Sequence, residues 1–482
     1  MTPDWLHHQA ELHPHQLALA TGEDHWSFAK LDDEAARLAG ALIDRGILPG
    51  DRVAYHLQAH AGHVALVHAL TRIGAVLVPL NTRLTENELS PILDNAEPSL
   101  LIHDQRRPDW PSSIPHLSLD ALKREIPSRV IDQAVLNFNE AHALVYTSGT
   151  TGTPKGVELT LGNQWWSAIG FALNASTLSS DRWLNVMPLF HVGGLTILFR
   201  SVILGSTVFL EPRFDPQTIY NRLQVERITL VSLVPTMLSR LLHLPQNAPS
   251  TLRLVLLGGA PAAPHLIEQA RQRGYPVVPT YGMTETCSQI ATGEGGEEIA
   301  LGHPNLPTRI KIMRNGAECP REQPGEIWIS GPTIAKGYWR NAEATKKAFE
   351  GDWLKSGDWG SLGQDGYLKV VGRIKDIIIR GGENVFPGEV EEQMRLIPAV
   401  RDAAVFGLDD KEWGQRVAAA LVCDEPISLS EIAEFLSKRL AAYKIPSVYF
   451  RIEAVPRNPG GKILRNRLPQ LAATTPRWVD VP

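Results

Sequence analysis

The sequence predicts an α/β protein. The prediction comprises a large N-terminal domain of doubly wound, largely parallel sheets, a β-rich subdomain and a small, mobile α+β C-terminal domain. Before about residue 300, short apolar runs alternate with helical segments, as in sheets covered by helices on both faces. Short alternating runs separated by Gly and Pro follow, and a compact stretch of mixed elements ends the chain. We place the large domain at residues 1–374, its β-rich part at about 300–372, and the small domain at 375–482.

The first predicted unit is strand-helix-strand and follows an amphipathic helix. Residues 31–46 put apolar side chains on one helical face, with Asp32 or Asp33 available as the N-cap and Gly46 as the stop. A strand at 51–57, a helix near 62–73 and a buried strand at 75–80 come next. The same alternation then predicts strands at 206–212, 228–235, 252–259 and 276–282, with helices between them.

Composition narrows the class of protein. Of the 482 residues, 43% are hydrophobic and 21% are charged, and the net charge is -5. This balance is typical of a globular chain and gives no support for a nucleic-acid or membrane-surface partner. Cys287, Cys319 and Cys423 lack CxxC spacing, which argues against a zinc site or a disulfide framework and favours a reducing, cytoplasmic setting. The N-terminus lacks the pattern of a signal peptide, and no apolar run reaches 18 residues, so we expect a chain that is neither exported nor membrane-spanning.

A Gly- and Thr-rich loop, TSGTTGTPKGV at 147–157, directly follows the predicted strand HALVY. Free backbone N–H groups, hydroxyls and one lysine suit a polyphosphate, although the spacing is not that of a Walker A loop. A flexible surface turn is the alternative. The candidate nucleotide-binding residues of this segment are Thr147, Ser148, Gly149, Thr150, Thr151, Gly152 and Lys155.

Four further residues have chemistry that suits the same ligand. Thr284 and Glu285 in YGMTET could meet a phosphate and a magnesium ion, or could only cap a helix. Asp358, which SGDWG places on a turn, could accept hydrogen bonds from ribose hydroxyls, or could face solvent. Arg373 keeps its charge at all relevant pH values and suits a permanent anion contact.

Three side chains in less polar surroundings are also candidates. A lone histidine such as His191, in PLFHVGGL, is more often a packed core residue than a functional group. Arg200 lies in the apolar run LTILFRSVIL, where burial of an unpaired charge costs several kcal/mol, so we expect it to face an anion. An internal acidic partner, or extension of the side chain to solvent, remains the alternative for Arg200. Lys462, in the loop PGGKIL, could enter a cleft or could be an ordinary surface lysine.

Eight motifs in order resemble the adenylate-forming superfamily, which comprises acyl-CoA and aryl-CoA synthetases, luciferases and peptide-synthetase adenylation domains. Besides the loop at 147–157 they are PLFHVGGL (188–195), LGGAP (257–261), YGMTET (281–286), GEIWISGP (325–332), WLKSGDWG (353–360), GRIKDIIIRGGENVFPGEVE (372–391) and PRNPGGKILRN (456–466). Within the superfamily, segments such as NQWWSAIGFALN (163–174) are most similar to 2-succinylbenzoate–CoA ligases of menaquinone or phylloquinone synthesis.

The resemblance implies roles for the motif residues. Lys462 would bridge the acyl carboxylate and the α-phosphate, Glu285 would hold Mg²⁺, and Thr284 would contact the phosphate or the acyl carboxylate. Asp358 would bind the ribose, with Arg373 at ribose or phosphate. The remaining adenine- and nucleotide-site positions are Gly258, Gly259, Ala260, Tyr281, Gly282 and Met283. The acid would be bound by His191, which gates the pocket, and by Gly194, Arg200 and Gly258.

The family's reaction has two steps, and the resemblance divides them between two faces of the small domain. Arg380, Gly381 and Gly382 would form the path for coenzyme A, and Lys375 would be the hinge about which the small domain rotates. The expected co-substrates are ATP and coenzyme A, with Mg²⁺ as cofactor and no nucleic acid or stable membrane association; a homo-oligomer is left open. The alternatives are another aryl- or fatty-acyl-CoA ligase, a protein that loads a carrier domain, and a non-catalytic nucleotide sensor.

Overall fold

The structure, a computed structural model, describes residues 2–107, 110–132, 134–147, 154–293, 301–457 and 461–478. Two large sheets form the frame of the first 300 residues. The first sheet has the strand order Gly337–Tyr338, Lys155–Thr160, Ala141–Thr147, Val76–Pro79, Arg52–His56, Leu100–His103 and His116–Ser118. The second sheet has the order His303–Pro304, Ser288–Thr292, Val277–Met283, Leu254–Leu257, Leu230–Leu233, Arg182–Asn185, Thr207–Leu210, Leu17–Ala20 and His25–Ser27. A separate strand pair joins Thr2–Pro3 to Val135–Leu136.

The inner strands of both sheets run parallel, and antiparallel pairs occur only toward the edges. Parallel neighbours need crossover connections, which the helices between them supply. Every residue of the strands Val76–Pro79 and Leu254–Leu257 is buried. Helices therefore cover both faces of these sheets, and the predicted α/β class is confirmed.

Eleven described helices belong to the first 375 residues. They are Trp5–Leu12, Phe28–Asp44, Ala61–Arg72, Glu86–Ala96, Leu119–Arg124, Leu161–Ala175, Val192–Leu204, Pro216–Val225, Pro235–Leu242, Pro264–Gln272 and Ala342–Ala348. The largest apolar core joins side chains of both sheets to Phe28–Asp44, Ala61–Arg72, Leu161–Ala175 and Val192–Leu204. Ser167 lies in the helix Leu161–Ala175, and Arg200 lies in the helix Val192–Leu204.

The predicted cap of the first amphipathic helix was wrong. The helix begins at Phe28, and its N-cap is Ser27, whose hydroxyl accepts a hydrogen bond from the backbone of Lys30 at 3.2 Å. Asp32 instead pairs with the buried Arg72 inside the core. A carboxylate that neutralises a buried guanidinium is not available to cap a helix, and the helix gains a turn at its start.

A β-rich sheet follows, with the order Ala317–Glu318, Arg309–Arg314, Gly325–Ser330, Trp353–Leu362 and Phe349–Glu350, and Leu368–Arg373 also pairs with Trp353–Leu362. The turn predicted at Asp358 was wrong. Asp358 lies within the strand Trp353–Leu362, directly opposite Arg373, and only 4% of its surface is exposed. The preceding Gly357 has left-handed backbone, with a φ of 69°, which glycine adopts readily and which is common in turns.

The C-terminal part has its own sheet and two apolar cores. Its strand order is Glu383–Val385, Ile378–Arg380, Gly414–Cys423 and Val400–Asp410, with Val448–Arg451 also beside Gly414–Cys423. Its helices are Pro387–Met394, Leu429–Ser437 and Leu468–Thr474. After the helix Leu429–Ser437 the chain turns, and Tyr443 and Ile445 pack on one of these cores. Among the described helices none combines the length and apolar character that crossing a bilayer requires.

Candidate active site

The candidate site lies at the carboxyl ends of neighbouring parallel strands. Leu257 and Pro279 are opposite each other in the strands Leu254–Leu257 and Val277–Met283. Gly258–Ala260 follows the first of these strands, and Tyr281–Met283 forms the end of the second, so the two segments lie close together. Open α/β sheets bind ligands at this edge.

Close packing explains why two of the predicted nucleotide-site positions, Gly258 and Gly282, are glycine. A Cβ atom at Gly258 would collide with the hydroxyl of Thr280, and one at Gly282 would collide with the backbone carbonyl of Ser288. At Gly282 only glycine fits without a shift of the neighbouring strand, whereas at Gly258 a larger residue would displace the side chain of Thr280. These glycines thus allow the backbone to lie close to Thr280 and Ser288.

Asp358 is the best-connected carboxylate of the site. Tyr281 donates a hydrogen bond from its hydroxyl to Oδ2 of Asp358 at 2.7 Å, and Nε of Arg373 lies 2.9 Å from Oδ1. Burial, followed by the charge of Asp358, holds the pKa of Tyr281 well above its usual value, so Tyr281 stays a donor. A carboxylate has about four acceptor positions, which leaves capacity for ribose hydroxyls.

Glu285 lies in a short 3-10 turn, Thr284–Thr286, directly after the strand Val277–Met283. Tyr338 donates a 2.9 Å hydrogen bond to Oε1 of Glu285, and Nζ of Lys155 lies 5.1 Å from the centre of the Tyr338 ring. The buried Thr286 holds the turn, since its hydroxyl accepts from the backbone of Met283 at 3.0 Å. A carboxylate and a lysine are thereby placed on either side of one phenol.

The donor set at Glu285 fits a magnesium ion. Mg²⁺ prefers oxygen ligands and is commonly held by one or two carboxylates together with substrate phosphates. The described residues contain no group of three or more acidic, histidine or cysteine side chains arranged for a metal. A single carboxylate, connected through Tyr338 to Lys155, agrees with a metal ion shared with substrate phosphates rather than with one enclosed by protein ligands.

The phosphate-loop motif connects two strands of a hairpin in the first sheet. Thr147 ends the strand Ala141–Thr147 and lies opposite Lys155, the first residue of Lys155–Thr160. The strand Gly337–Tyr338 pairs with the other edge of Lys155–Thr160, which explains the contact between Lys155 and Tyr338. The predicted positions Ser148, Gly149, Thr150, Thr151 and Gly152 lie outside the described residues.

His191 precedes the helix Val192–Leu204 and occupies its N-cap position without capping it. Its Nε2 atom is buried and has no hydrogen-bond partner among the described residues, and its ring lies 4.7 Å from that of Phe190. Burial first, and then Arg83, lowers the pKa of His191 to about 4. A neutral imidazole at the start of this helix can accept or donate a hydrogen bond. The helix packs tightly there, because a Cβ at Gly194 would collide with the carbonyl of Pro188.

Arg200 is buried two and a half turns further along the same helix, with 2% of its surface exposed. Its Nη2 donates to the hydroxyl of Ser167 at 2.9 Å, and its Nη1 to the amide oxygen of Gln289 at 3.3 Å. The guanidinium also lies 4.9 Å from the ring centre of Phe171 and 5.9 Å from that of Trp183. Both hydrogen-bond partners are neutral, and no acidic side chain of the described residues pairs with Arg200. Burial lowers its pKa to about 10.

Lys462 approaches the same region from the C-terminal part of the chain. A Cβ at the adjacent Gly461 would lie 3.4 Å from the hydroxyl of Thr236, at the start of the helix Pro235–Leu242. Burial lowers the pKa of Lys462 to about 8, with Arg373 as the next cause and the charge of Asp358 opposing it. The structure thus brings Lys462 together with Asp358 and Arg373, and it also brings Lys375 near them.

The predicted coenzyme A segment is not part of this cluster. The side chain of Arg380 donates to the backbone carbonyl of Tyr443 at 3.0 Å. The backbone N–H of Gly381 donates to the backbone carbonyl of Trp413 at 2.8 Å. With Glu383 and Ala442 these residues line a cavity of about 230 Å³ inside the C-terminal part. Gly381 and Gly382 both have left-handed backbone, with φ of 58° and 86°. Along the chain, Lys375 lies between Arg373 of the cluster and Arg380 of the coenzyme A segment, in the 3-10 turn Ile374–Asp376.

Comparison with known proteins decides the family. The model of the family described as AMP-binding enzyme matches residues 6–339, and that of its C-terminal domain matches residues 389–462. The chain belongs to the AMP-binding enzyme family. The predicted domain boundary at residue 375 falls between the two matches and stays a prediction.

Relatives within the AMP-binding enzyme family match along nearly the whole chain. The 2-succinylbenzoate–CoA ligase of Bacillus licheniformis is 40% identical over 97% of this chain and 99% of its own length. That of Bacillus subtilis is 39% identical over 97% of each chain. The structure of o-succinylbenzoate CoA synthetase from Bacillus subtilis with the acyl-adenylate intermediate superposes with a TM-score of 0.92, at 38% identity, covering 97% of this chain and 98% of that one.

A double mutant of that Bacillus subtilis synthetase, bound to the product analogue OSB-NCoA, gives a lower TM-score of 0.77. It is also 38% identical and covers 99% of this chain and 100% of that one. Sequence coverage therefore does not explain the lower score.

Three residues of this candidate AMP-binding enzyme site were not predicted from the sequence. Tyr338 lies between two recognised motifs, and its pairing with Glu285 comes from the edge strand that it occupies. Ser167 falls within the segment NQWWSAIGFALN and Gln289 lies three positions after the motif YGMTET, but neither was assigned a role. Their contacts with Arg200 span 33 and 89 positions along the chain, so no local pattern signals them.

Proposed function

We propose that this chain ligates 2-succinylbenzoate to coenzyme A in quinone biosynthesis, with ATP converted to AMP and pyrophosphate. Membership of the AMP-binding enzyme family and 40% identity to a 2-succinylbenzoate–CoA ligase over nearly the full length support the reaction class and the acid. The site residues support the same assignment by their chemistry.

The observation that carries the choice of acid is the environment of Arg200. A guanidinium that is 2% exposed, held by the neutral groups of Ser167 and Gln289, keeps an uncompensated charge inside the helix layer. Burying such a charge is costly unless an anion pairs with it. 2-Succinylbenzoate is a dicarboxylate of which only the aliphatic carboxyl group is activated, and its ring carboxylate would pair with Arg200. Phe171 and Trp183 add aromatic surface beside the guanidinium.

In the first step, a carboxylate oxygen of the acid attacks the α-phosphorus of ATP, and pyrophosphate leaves. Lys462, directed toward Asp358 and Arg373, stabilises the negative charge that develops between the carboxylate and the α-phosphate. Asp358 orients the ribose while Lys155 and the phosphate loop hold the remaining phosphates. A magnesium ion held by Glu285 would neutralise part of the polyphosphate charge.

In the second step, the thiol of coenzyme A attacks the carbonyl carbon of the adenylate, and AMP leaves with the bonding electrons. Lys462 and the segment Arg380–Gly382 cannot both occupy the cleft, so the small domain rotates about Lys375 between the steps. The two TM-scores support this rotation: 0.92 against the adenylate complex of the Bacillus subtilis synthetase and 0.77 against its mutant with the product analogue.

The test is pyrophosphate release across a panel of acids, each with and without coenzyme A. We expect 2-succinylbenzoate to give the highest kcat/KM and a thioester product only when coenzyme A is present. A fatty acid or a simple benzoate with a higher value would overturn the choice of acid but not the reaction class. Release that does not depend on any acid would argue instead for a nucleotide-binding protein without ligase activity.

The proposal also includes the cellular setting, the oligomeric state and the absence of a nucleic-acid partner. All three cysteines are free thiols, which supports a reducing, cytoplasmic setting. Neither the oligomeric state nor the lack of a nucleic-acid partner follows from the site, and both stay predictions.

A further inference from the structure

The loop that carries Lys462 is bordered by Arg457 on its N-terminal side. Nη2 of Arg457 lies 2.9 and 2.8 Å from the two carboxylate oxygens of Asp402. Nη1 of the same guanidinium donates to the backbone carbonyl of Gly461 at 2.8 Å. Asp402 thus orients an arginine that in turn binds the backbone immediately before Lys462.

Arg465 borders the loop on its C-terminal side and is held in the same manner. Its Nη2 donates to Oε1 of Glu391 at 2.7 Å. Glu391 is 3% exposed, and the same oxygen also accepts from the backbone of Val405 at 2.8 Å. The carboxylate is therefore fixed within the C-terminal sheet before it meets the loop.

Arg395 joins the two carboxylates into one network. Its Nε lies 3.3 Å from Asp402 and its Nη2 lies 3.6 Å from Glu391. The five charged side chains are each less than a quarter exposed, so water screens their interactions less than it screens surface pairs. The network lies wholly within the C-terminal part of the chain.

Lys462 needs such support because of the charges it approaches. Arg373 and Lys375 are cations, and both disfavour a further positive charge at Lys462. Burial is the largest cause of the lowered pKa of Lys462, and the carboxylates of Asp358 and Asp376 partly offset the two cations. The ion pairs of Asp402 and Glu391 hold the residues on both sides of Lys462 in this buried place.

We infer that Asp402 and Glu391 are positioning residues for the adenylation step, which they serve by fixing the loop that carries Lys462. The inference rests on the role proposed above for Lys462. Neither carboxylate touches a reacting group, so each acts through Arg457 or Arg465. Transfer of the acyl group to coenzyme A, which does not use Lys462, should not depend on the network.

The test separates the two half-reactions in the variant Asp402→Asn, which keeps the size of the side chain and removes its charge. Single-turnover pyrophosphate release should slow by about tenfold to a hundredfold, the effect expected of a small misplacement of a catalytic group. Transfer from supplied acyl-adenylate to coenzyme A should stay within about twofold of the parent. Equal losses in both half-reactions, or unchanged adenylation, would overturn the inference.

A matched control is available in the same domain. Asp424 forms a 3.0 Å pair with Arg401, and both side chains are more than half exposed. Asp424→Asn should leave both half-reactions unchanged, because an exposed pair contributes little. A loss of adenylation in this control equal to that in Asp402→Asn would mean that any broken ion pair in the domain has the effect.

Three further variants keep the result interpretable. The double variant Asp402→Asn/Arg457→Gln should lose no more adenylation than the slower single variant, because both changes break one linkage; additive losses would contradict it. Arg457→Lys keeps the charge and should fall between the parent and Asp402→Asn, and it provides the same comparison if Asp402→Asn does not fold. Lys462→Ala is measured alongside. If adenylation is slow in Lys462→Ala but normal in Asp402→Asn, only the positioning role of Asp402 is overturned. If adenylation is normal in Lys462→Ala, the proposed role of Lys462 is overturned as well.

Discussion

The hydroxyl of Tyr281 donates a 2.7 Å hydrogen bond to the carboxylate of Asp358, which lies 77 positions further along the chain. This bond connects the second sheet to the β-rich sheet at the place where ribose would bind. Replacing Tyr281 by Phe leaves a buried carboxylate oxygen without this donor, at a cost of about 1 to 3 kcal/mol in the free energy of unfolding. We expect a lower Tm and a KM for ATP raised about threefold to tenfold, with the KM for the acid nearly unchanged. A rise confined to the acid would mean that Asp358 does not contact the nucleotide.

Lys462 should control adenylation through its charge. Replacement by Ala should slow pyrophosphate release about a hundredfold or more, by analogy with the loss of one preorganised donor, and should largely spare transfer from supplied acyl-adenylate. Equal losses in the two half-reactions would contradict this division.

The pH profile provides a second measurement on Lys462. Burial lowers its pKa to about 8 in the free enzyme, and the charged form predominates below that pH. The kcat/KM for ATP should therefore fall as the pH rises through about 8. In Lys462→Arg the side chain keeps its charge, so the remaining activity should lose this alkaline limb. An unchanged limb in that variant would assign it to another group.

Gly382 should affect the second step only. A Leu side chain there would obstruct the path proposed for the pantetheine arm, so acyl-adenylate should form at a normal rate and accumulate in a rapid-quench experiment. Gly382 has a φ of 86°, and a substitution also strains the turn. Gly316 is a matched control, since it has a φ of 80° and, like Gly382, no atom within 4 Å of an added Cβ. Similar kinetics in Gly316→Leu and Gly382→Leu would argue that strain, not obstruction, is the cause.

Arg200→Leu should raise the KM for 2-succinylbenzoate about tenfold to a thousandfold, the range for a charge-assisted hydrogen bond in a desolvated pair. The KM for ATP should stay nearly constant. A monocarboxylic analogue without the ring carboxylate should gain relative to the dicarboxylate, because Leu removes the unpaired charge that the analogue leaves. Equal losses for both acids would mean that Arg200 only supports the fold.

Thermal unfolding distinguishes these outcomes, with Arg72 as the comparison. Arg72 is 3% exposed and pairs with Asp4 at 2.6 Å and with Asp32. Arg72→Leu should strongly lower the free energy of unfolding, because it strands buried carboxylates. Arg200→Leu removes a donor from the amide oxygen of Gln289 and from the hydroxyl of Ser167, which still donates to the carbonyl of Cys287 at 2.8 Å, so without substrate its Tm should change far less.

Local sequence patterns predicted the fold well, because apolar alternation and the crossover helices are properties of neighbouring residues. The cap of the first helix and the strand around Asp358 escaped prediction for a different reason. Asp32 is taken up by Arg72, 40 positions away, and Asp358 is drawn into a strand by its pairing with Arg373. Tertiary contacts of this kind override local preferences.

The candidate site follows the same division. Local motifs identified the candidate nucleotide-site residues, although Tyr281 and Asp358 lie in strands and only Glu285 lies in a turn after a strand. The residues that form hydrogen bonds with these side chains lie on strands and helices that are distant along the chain. Tyr338 meets Glu285 through an edge strand, and Ser167 meets Arg200 through helix packing, so neither contact is visible in a one-dimensional pattern.

The burial of Arg200 also bears on how the acid would respond to its ionic surroundings. Dissolved salt screens exposed charges over about 10 Å at 0.1 M ionic strength but reaches a desolvated pair much less. The affinity for a dicarboxylate bound at Arg200 should therefore be nearly constant between dilute buffer and high salt. Discrimination against monocarboxylic acids would be retained in a concentrated, ion-rich medium, where recognition by surface lysines would fade.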